Sequence, residues 1–335
     1  MMPDDVLTLV WAGIVAFAVF TYVVLDGFDL GVGILFPLLN DHGERGTAMN
    51  SIAPVWDGNE TWLVLGGGGL MAAFPLAYAV VMPAIYTPLI AMLLGLVFRG
   101  VAFEFRWRSS RGRAWWDFAF FSGSAVATLA QGIALGAILQ GVTVTERAYG
   151  GGWWDWLSPF TLLCGVALLF GYGALGACWL NMKTEHGLQK RARRIAAFAG
   201  LGLIAGIVAV SAATPFLAYA YYERWFAWPT VMATAQVPLL VIITTAAYFV
   251  TLARGRETLP FLLALALFAL SFLGLAVSMY PYIVPPSISI WDAAAPASSQ
   301  GFMLVGALIL LPIILAYTAY AYWVFRGKVG TDGYH

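Results

Sequence analysis

The stretch TLVWAGIVAFAVFTYVVLDGFDLGVGILFP, residues 8–37, decides the fold. As a helix it is long enough to cross a hydrocarbon layer of about 30 Å. Its only charged residues are Asp26 and Asp29. A second stretch, WDGNE at 56–60, repeats the pattern with Asp57 and Glu60. Within each motif the carboxyl groups stand three residues apart, which on a helix places them on one face. Ionisable groups at membrane depth are costly and mark proton, ion or substrate paths.

Composition gives the same class. Of 335 residues, 61% are hydrophobic and 10% charged, with 14 tryptophans. Soluble domains carry about 25% charged residues, so an all-α polytopic membrane protein is expected. The formal net charge is zero, which offers no field to attract nucleic acid, and no nucleic-acid partner is expected. Cys164 and Cys178 share one apolar stretch. As helix residues they stand roughly 21 Å apart, beyond disulfide reach, and are expected to be packing residues. The first apolar run follows MMPDD and is not followed by an A-x-A pattern. It is predicted to be a retained helix, not a signal peptide.

Nine segments are predicted to span the membrane, at approximately 8–37, 52–74, 78–104, 116–140, 159–182, 195–221, 229–253, 259–284 and 301–325. They form a single transmembrane domain over residues 1–335, because no intervening loop is long enough for a soluble domain. NDHGERG at 40–46 and the other polar breaks are predicted loops, and the junction around Phe74 to Tyr78 is a tight hairpin. Pro83, Pro88, Pro238 and Pro312 fall inside predicted helices and are expected to kink them. Gly27 with Gly31, Gly132 with Gly136, and the run Gly66 to Gly69 are expected to be close helix-packing surfaces.

Of the 17 Lys and Arg residues, all but Arg147 and Arg224 fall on one side of these spans. The positive-inside rule therefore predicts a periplasmic N-terminus and a cytoplasmic C-terminus. In that orientation Asp26 and Asp29 lie about 27–32 Å along the first helix, at its cytoplasmic end. Asp57 and Glu60 open the second helix and Arg99 and Glu104 close the third, so all six converge on one leaflet. A proton or cation entry from the cytoplasm is the functional expectation. Taken singly, each acid also fits a structural role. Asp57 and Glu60 stand near a helix start, where a carboxylate caps free N–H groups. Arg99 would then be a simple charge partner, and Glu104 a solvated interface residue.

The three histidines, His42, His186 and His335, lie in predicted loops or at the terminus, so no helix offers the axial ligands of a membrane haem. Zinc spacings, a P-loop and a strand-linked G-x-G-x-x-G are not found either. Haem-binding, metal-binding and catalytic redox residues are therefore not expected in this chain.

Three motifs, DGFDLGVG at 26–33, NSIAPVWDGNETWL at 50–63 and FRGVAFEFR at 98–106, resemble subunit II of the cytochrome bd family of quinol oxidases. SISIWDAA at 287–294 and the closing YWVFRG at 322–327 extend the resemblance over the whole chain. It implies two four-helix bundles plus one peripheral helix. It also implies a heterodimer in the bacterial cytoplasmic (inner) membrane that oxidises quinol and reduces dioxygen to water. The b-type and d-type haems and the quinol-oxidising loop would belong to the partner, subunit I. Subunit II would supply the assembly surface and an acid on the proton route. That acid is the Asp of W-D-G-N, here Asp57. Family members carry Gln or Glu at the position of Glu60, and the D-G-F-D pair maps to Asp26 and Asp29. The wording WDGNETWLVLGGG resembles the cyanide-insensitive branch. Membrane lipids and the quinone pool would be further partners. The identity of the quinone, a small single-helix subunit and a structural quinone or lipid stay open. The alternative is a proton-coupled secondary transporter, which predicts an inverted repeat around a midplane site rather than acids gathered at one leaflet. A purely structural scaffold is a third class, against which the motif acids argue.

Overall fold

The computed structural model describes residues 4–109 and 111–329, so His335 lies outside the described residues. The first half of the chain forms α1 (Asp4–Ile34), α2 (His42–Ile52), α3 (Trp56–Ala73), α4 (Pro75–Ala84), α5 (Tyr86–Arg108) and α6 (Arg113–Gln140). A two-residue hairpin, β1 (Val144–Thr145) with β2 (Ala148–Tyr149), leads into the second half. There follow α7 (Pro159–Lys183), α8 (His186–Ala213), α9 (Tyr219–Phe226), α10 (Val231–Thr234), α11 (Gln236–Ala253) and α12 (Leu259–Met279). A second small hairpin, β3 (Tyr282–Val284) with β4 (Ile288–Ser289), precedes α13 (Ala297–Val324).

Eight helices among the described residues are long and apolar enough to cross a membrane: α1, α5, α6, α7, α8, the α10–α11 stretch, α12 and α13. The chain is thus a multi-pass membrane protein. The 18-residue α3, which carries Asp57 and Glu60, is not among them. α1 is central and packs on α3, α6 and α7; α5 lies on α6, α7 on α8, and α11 on α12. α13 is largely exposed and rests on α1 and α3.

Close approach between helices is set by glycine. A Cβ on Gly95 of α5 would stand 2.7 Å from the carbonyl of Gly123 on α6, and one on Gly123 2.6 Å from the carbonyl of Gly95. Likewise a Cβ on Gly31 would run into the Tyr172 carbonyl and the backbone of Gly176 on α7. Gly132 and Gly136 meet Cys164, Gly165 and Thr161 in the same manner, as the G-x-x-x-G spacing predicts. The run at 66–69 divides: Gly66 and Gly69 face Val19 and Val15 of α1, while Gly67 and Gly68 face open space. Cys164 and Cys178 are both buried and unbridged.

Three local expectations are corrected. The predicted loop at 40–46 is the start of α2, because Asp41 accepts the Glu44 backbone N–H at 2.8 Å and Glu44 accepts that of Asn40 at 2.9 Å. That reciprocal arrangement caps a helix. The predicted helix at 78–104 is two helices, and the corner is not tight. Phe74 leaves helical geometry and Pro75 opens α4, whose Ala77, Val80 and Ala84 bury against Leu7, Trp11, Val142 and Val284. Proline, finally, does less kinking than expected. Pro88 and Pro238 sit in the first turns of α5 and α11, where a missing N–H does no harm, and Pro83 lies beside the α4–α5 break. Pro312 alone of the four is deep inside a helix.

The two ends differ in charge. At one end Arg106 and Arg45 bond Asp117, Arg191 forms an ion pair with Glu44, and Lys328 one with Glu257. At the other lie α4, both hairpins and Arg224, whose Nη1 caps the carbonyls of Val277 and Ser278 at the end of α12. Exposed Trp153, Trp154, Trp228 and Trp323 sit at or near helix ends, as interfacial aromatics do.

Candidate functional site

Three helices bring the motif residues together near the basic end. Asp26 and Asp29 project from α1, Glu60 from α3 and Arg99 from α5. Arg99 is fully buried; its Nη1 donates to Glu60 Oε1 at 2.6 Å and lies 3.5 Å from Asp26 Oδ1. The guanidinium also stands over the rings of Trp56 at 5.7 Å and Phe120 at 5.9 Å. A cation between aromatic faces and carboxylates is favourable where water is excluded. One charged group thereby links three helices far apart in sequence.

Asp29 is also fully buried but is held differently. Asn59 Nδ2 donates to Asp29 Oδ2 at 2.7 Å, and Asn59 Oδ1 accepts from the Tyr322 hydroxyl of α13 at 3.0 Å. From the W-D-G-N-E motif, Asn59 thus serves Asp29 directly, and Glu60 shares the Arg99 guanidinium with Asp26.

Asp57 is not in this cluster. It is exposed in the first turn of α3, and no hydrogen bond or ion pair reaches it among the described residues. Nor does it cap the helix, since the α3 N-cap is Val55, which makes no side-chain bond. Glu104 is likewise exposed on α5, outside the cluster. Of the residues singled out from the sequence, Asp26, Glu60 and Arg99 meet directly, Asp29 joins through Asn59, and Asp57 lies one helical turn before Glu60.

Two further groups went unnoticed in the sequence. The first is a polar row: Gln131 Nε2 of α6 donates to the Tyr22 hydroxyl at 2.9 Å, and the Tyr172 hydroxyl of α7 donates to Gln131 Oε1 at 2.8 Å. Tyr22 stands one turn before Asp26 on the same face of α1. The second is an ion cluster on Asp117, which meets Arg106 at 2.5 Å, Arg45 at 3.0 Å and His42 at 3.3 Å. It ties α2 to α5 and α6. Asp117 one turn into an apolar helix was the available signal for it.

Residues 7–325 match the family described as cytochrome bd terminal oxidase subunit II. The chain belongs to that family. It is 32% identical to cytochrome bd-I ubiquinol oxidase subunit 2 of Escherichia coli K12, over 98% of this chain and 97% of the relative. It is 29% identical to cytochrome bd ubiquinol oxidase subunit 2 of Bacillus subtilis, over 95% and 96% of the two chains. Its fold is similar to a chain of the bd oxidase of Geobacillus thermodenitrificans, with a TM-score of 0.78 at 16% identity, covering 96% of this chain and 98% of that one. Family membership agrees with the motif resemblance. Among the described residues no group of three or more His, Cys, Asp or Glu side chains is placed to hold a metal ion.

Proposed function

We propose that this chain is subunit II of a bd-type terminal quinol oxidase in a bacterial cytoplasmic membrane, paired with a subunit I that carries b-type and d-type haems. When bound in that partner, the haems supply the electron transfer that reduces dioxygen to water with electrons from quinol. This chain supplies an assembly surface and a route for the protons consumed. α3 is then the ninth span, entering from the cytoplasm, and the basic end is cytoplasmic. The helix contacts support a grouping of α1, α3, α5 and α6 beside α7, α8, α11 and α12, with α13 peripheral.

One observation carries the proton reading. Asp57 is exposed at the mouth of α3, and one turn further on Glu60 bonds a buried guanidinium shared with Asp26. Carboxyl groups thus step from the surface into the bundle. One guanidinium faces three buried or half-buried carboxyl groups, so the cluster gathers more acids than its one cation balances. Asp57, open on the isolated chain, is positioned to meet a proton-conducting group of the partner. Asp26, Asp29 and Glu60 take the proton onward, and Arg99 keeps their charge in check.

The test begins with the complex purified through a tag on this chain. Haem absorption from a co-purifying partner is expected, and a colourless monomer would overturn the assignment. Asp57→Asn keeps the size but removes the titratable group. It should leave haem content unchanged and slow oxygen consumption. Full activity across pH in Asp57→Asn would remove Asp57 from the route.

A further inference from the structure

A trough runs along α12 from the end of the molecule opposite the basic one. Its mouth is a cavity of about 480 Å³ between α9, α10 and α12, with Arg224, Thr234, Ala276 and Tyr280 in its walls. A second cavity of about 290 Å³ lies deeper, between α12 and α1, and is walled by Phe17, Phe20, Phe272 and the same Ala276. Ala276 therefore joins the two. From Tyr280 at the mouth to Ala269 at the far end the trough follows roughly 16 Å of helix. That is close to one leaflet of a hydrocarbon layer about 30 Å thick.

The two parts differ in chemistry. The deep part is a slot walled by alanine, leucine and phenylalanine. Ala16, Ala269 and Ala276 give it depth that larger side chains would fill, and the rings of Phe20 and Phe272 meet along it at 5.3 Å. The mouth holds a guanidinium. Arg224 Nη1 is fixed by the carbonyls of Val277 and Ser278 at 3.1 and 2.6 Å. Its Nε and Nη2 make no hydrogen bond among the described residues, and no carboxylate there, Glu223 included, forms an ion pair with it. The frame around it is braced: Trp225 Nε1 donates to Ser278 Oγ at 2.9 Å, and Thr234 Oγ1 to the Trp225 carbonyl at 3.2 Å. Tyr222, Phe226 and Trp228 of the same segment are exposed, as aromatic residues at headgroup level are.

A cation with free donors above an apolar slot one leaflet deep selects for a two-part ligand. Guanidinium donors fork onto phosphate oxygens, and a hydrocarbon chain fills a slot of this length. A small soluble anion would leave the slot empty, and a quinone ring brings no charge to the guanidinium. We infer that the trough binds one membrane phospholipid, with its phosphate on Arg224 and an acyl chain laid between α12 and α1. The inference does not depend on the oxidase reading.

Photo-cross-linking tests it. The purified complex in detergent is incubated with phosphatidylglycerol carrying a diazirine on one acyl chain, irradiated, and its labelled peptides are mapped. Label should gather on residues 16–20 and 269–276 several-fold above the exposed α11 face at 239–243. Diacylglycerol with the same diazirine chain should not discriminate between them. Arg224→Gln should lower trough labelling several-fold. Ala276→Phe, which blocks the joint between the cavities without touching the guanidinium, should do the same and serves if Arg224→Gln assembles poorly. Equal labelling of the trough and α11, or equal preference by diacylglycerol, overturns the proposal. So does loss of the label to excess isoprenoid quinone but not to excess phosphatidylglycerol, which would assign the trough to a quinone instead.

Discussion

Replacing Arg99 by glutamine tests whether the cluster is held by charge. The guanidinium is fully buried, bonded to Glu60 at 2.6 Å and 3.5 Å from Asp26. Asp26 has no exposed side-chain surface, whereas 27% of the Glu60 side chain is exposed. Removing one partner of a well-buried ion pair costs about 3–5 kcal/mol. Glu60 recovers part of its loss through water, so a value near the lower end is expected, about 3 kcal/mol. That corresponds to roughly a hundredfold in the folded-to-unfolded ratio. The assay is heat denaturation of the purified complex, with assembled yield measured in parallel. Arg99→Gln should melt earlier and assemble poorly, while Arg111→Gln, in an exposed turn, should behave as the parent. The double variant Arg99→Gln/Glu60→Gln should recover part of the deficit, since one of the two uncompensated carboxylates is gone while Asp26 stays. Parent-like melting and yield for Arg99→Gln, with no coupling in the double variant, would refute the neutralising role.

Four further outcomes follow from the same geometry. Gly31→Leu should abolish assembly, because even a Cβ there meets the Tyr172 carbonyl; a blue-native gel reads it. Asp117→Asn strips two arginines and His42 of their shared carboxylate and should loosen α2, read as faster hydrogen exchange over 42–52. Tyr322→Phe leaves Asn59 without its donor and should destabilise the complex by about 1 kcal/mol, seen as a small fall in melting temperature. Bonds from Lys328 and Gln189 hold the Glu257 carboxyl below its ordinary value, so that tie is at full strength above the usual carboxylate range. It is lost as pH falls through the lowered value, and proteolysis after Lys328 should quicken there, with salt weakening the tie at neutral pH.

The apolar runs and the rare acids carried most of the architecture, because lipid leaves so few options: a long uncharged stretch must be a helix. The charged partners were also readable, since Arg99 is the one basic residue inside an apolar run, and it does meet Glu60 and Asp26. Glycine spacing likewise indicated a close-packing surface on α6, though not that α7 is the helix it meets. What composition could not indicate was direction around a helix. Asp57 and Glu60 are neighbours in the motif, yet one faces out and the other in, because α3 turns its Asn59–Glu60 side toward α1 and α5. Tyr22, Gln131 and Tyr172 are single polar residues on three separate helices, and only packing brings them into line. α2 escaped notice because its N-terminal turn is polar, although the D-x-x-E spacing at Asp41 and Glu44 was there. The α4 corner was hidden for the opposite reason: its ten residues are as oily as the spans they join.

The Tyr322–Asn59–Asp29 chain has a consequence for how the protein is made. The carboxyl of Asp29 is on α1, whereas Tyr322, which fixes the amide that serves it, is synthesised 263 residues after Asn59. Until α13 is made, α1 therefore carries an acid whose amide partner lacks its own donor. A truncated chain never relieves that condition, however many spans it has inserted. The hydroxyl of Tyr322 thus ties the making of α13 to the final setting of α1.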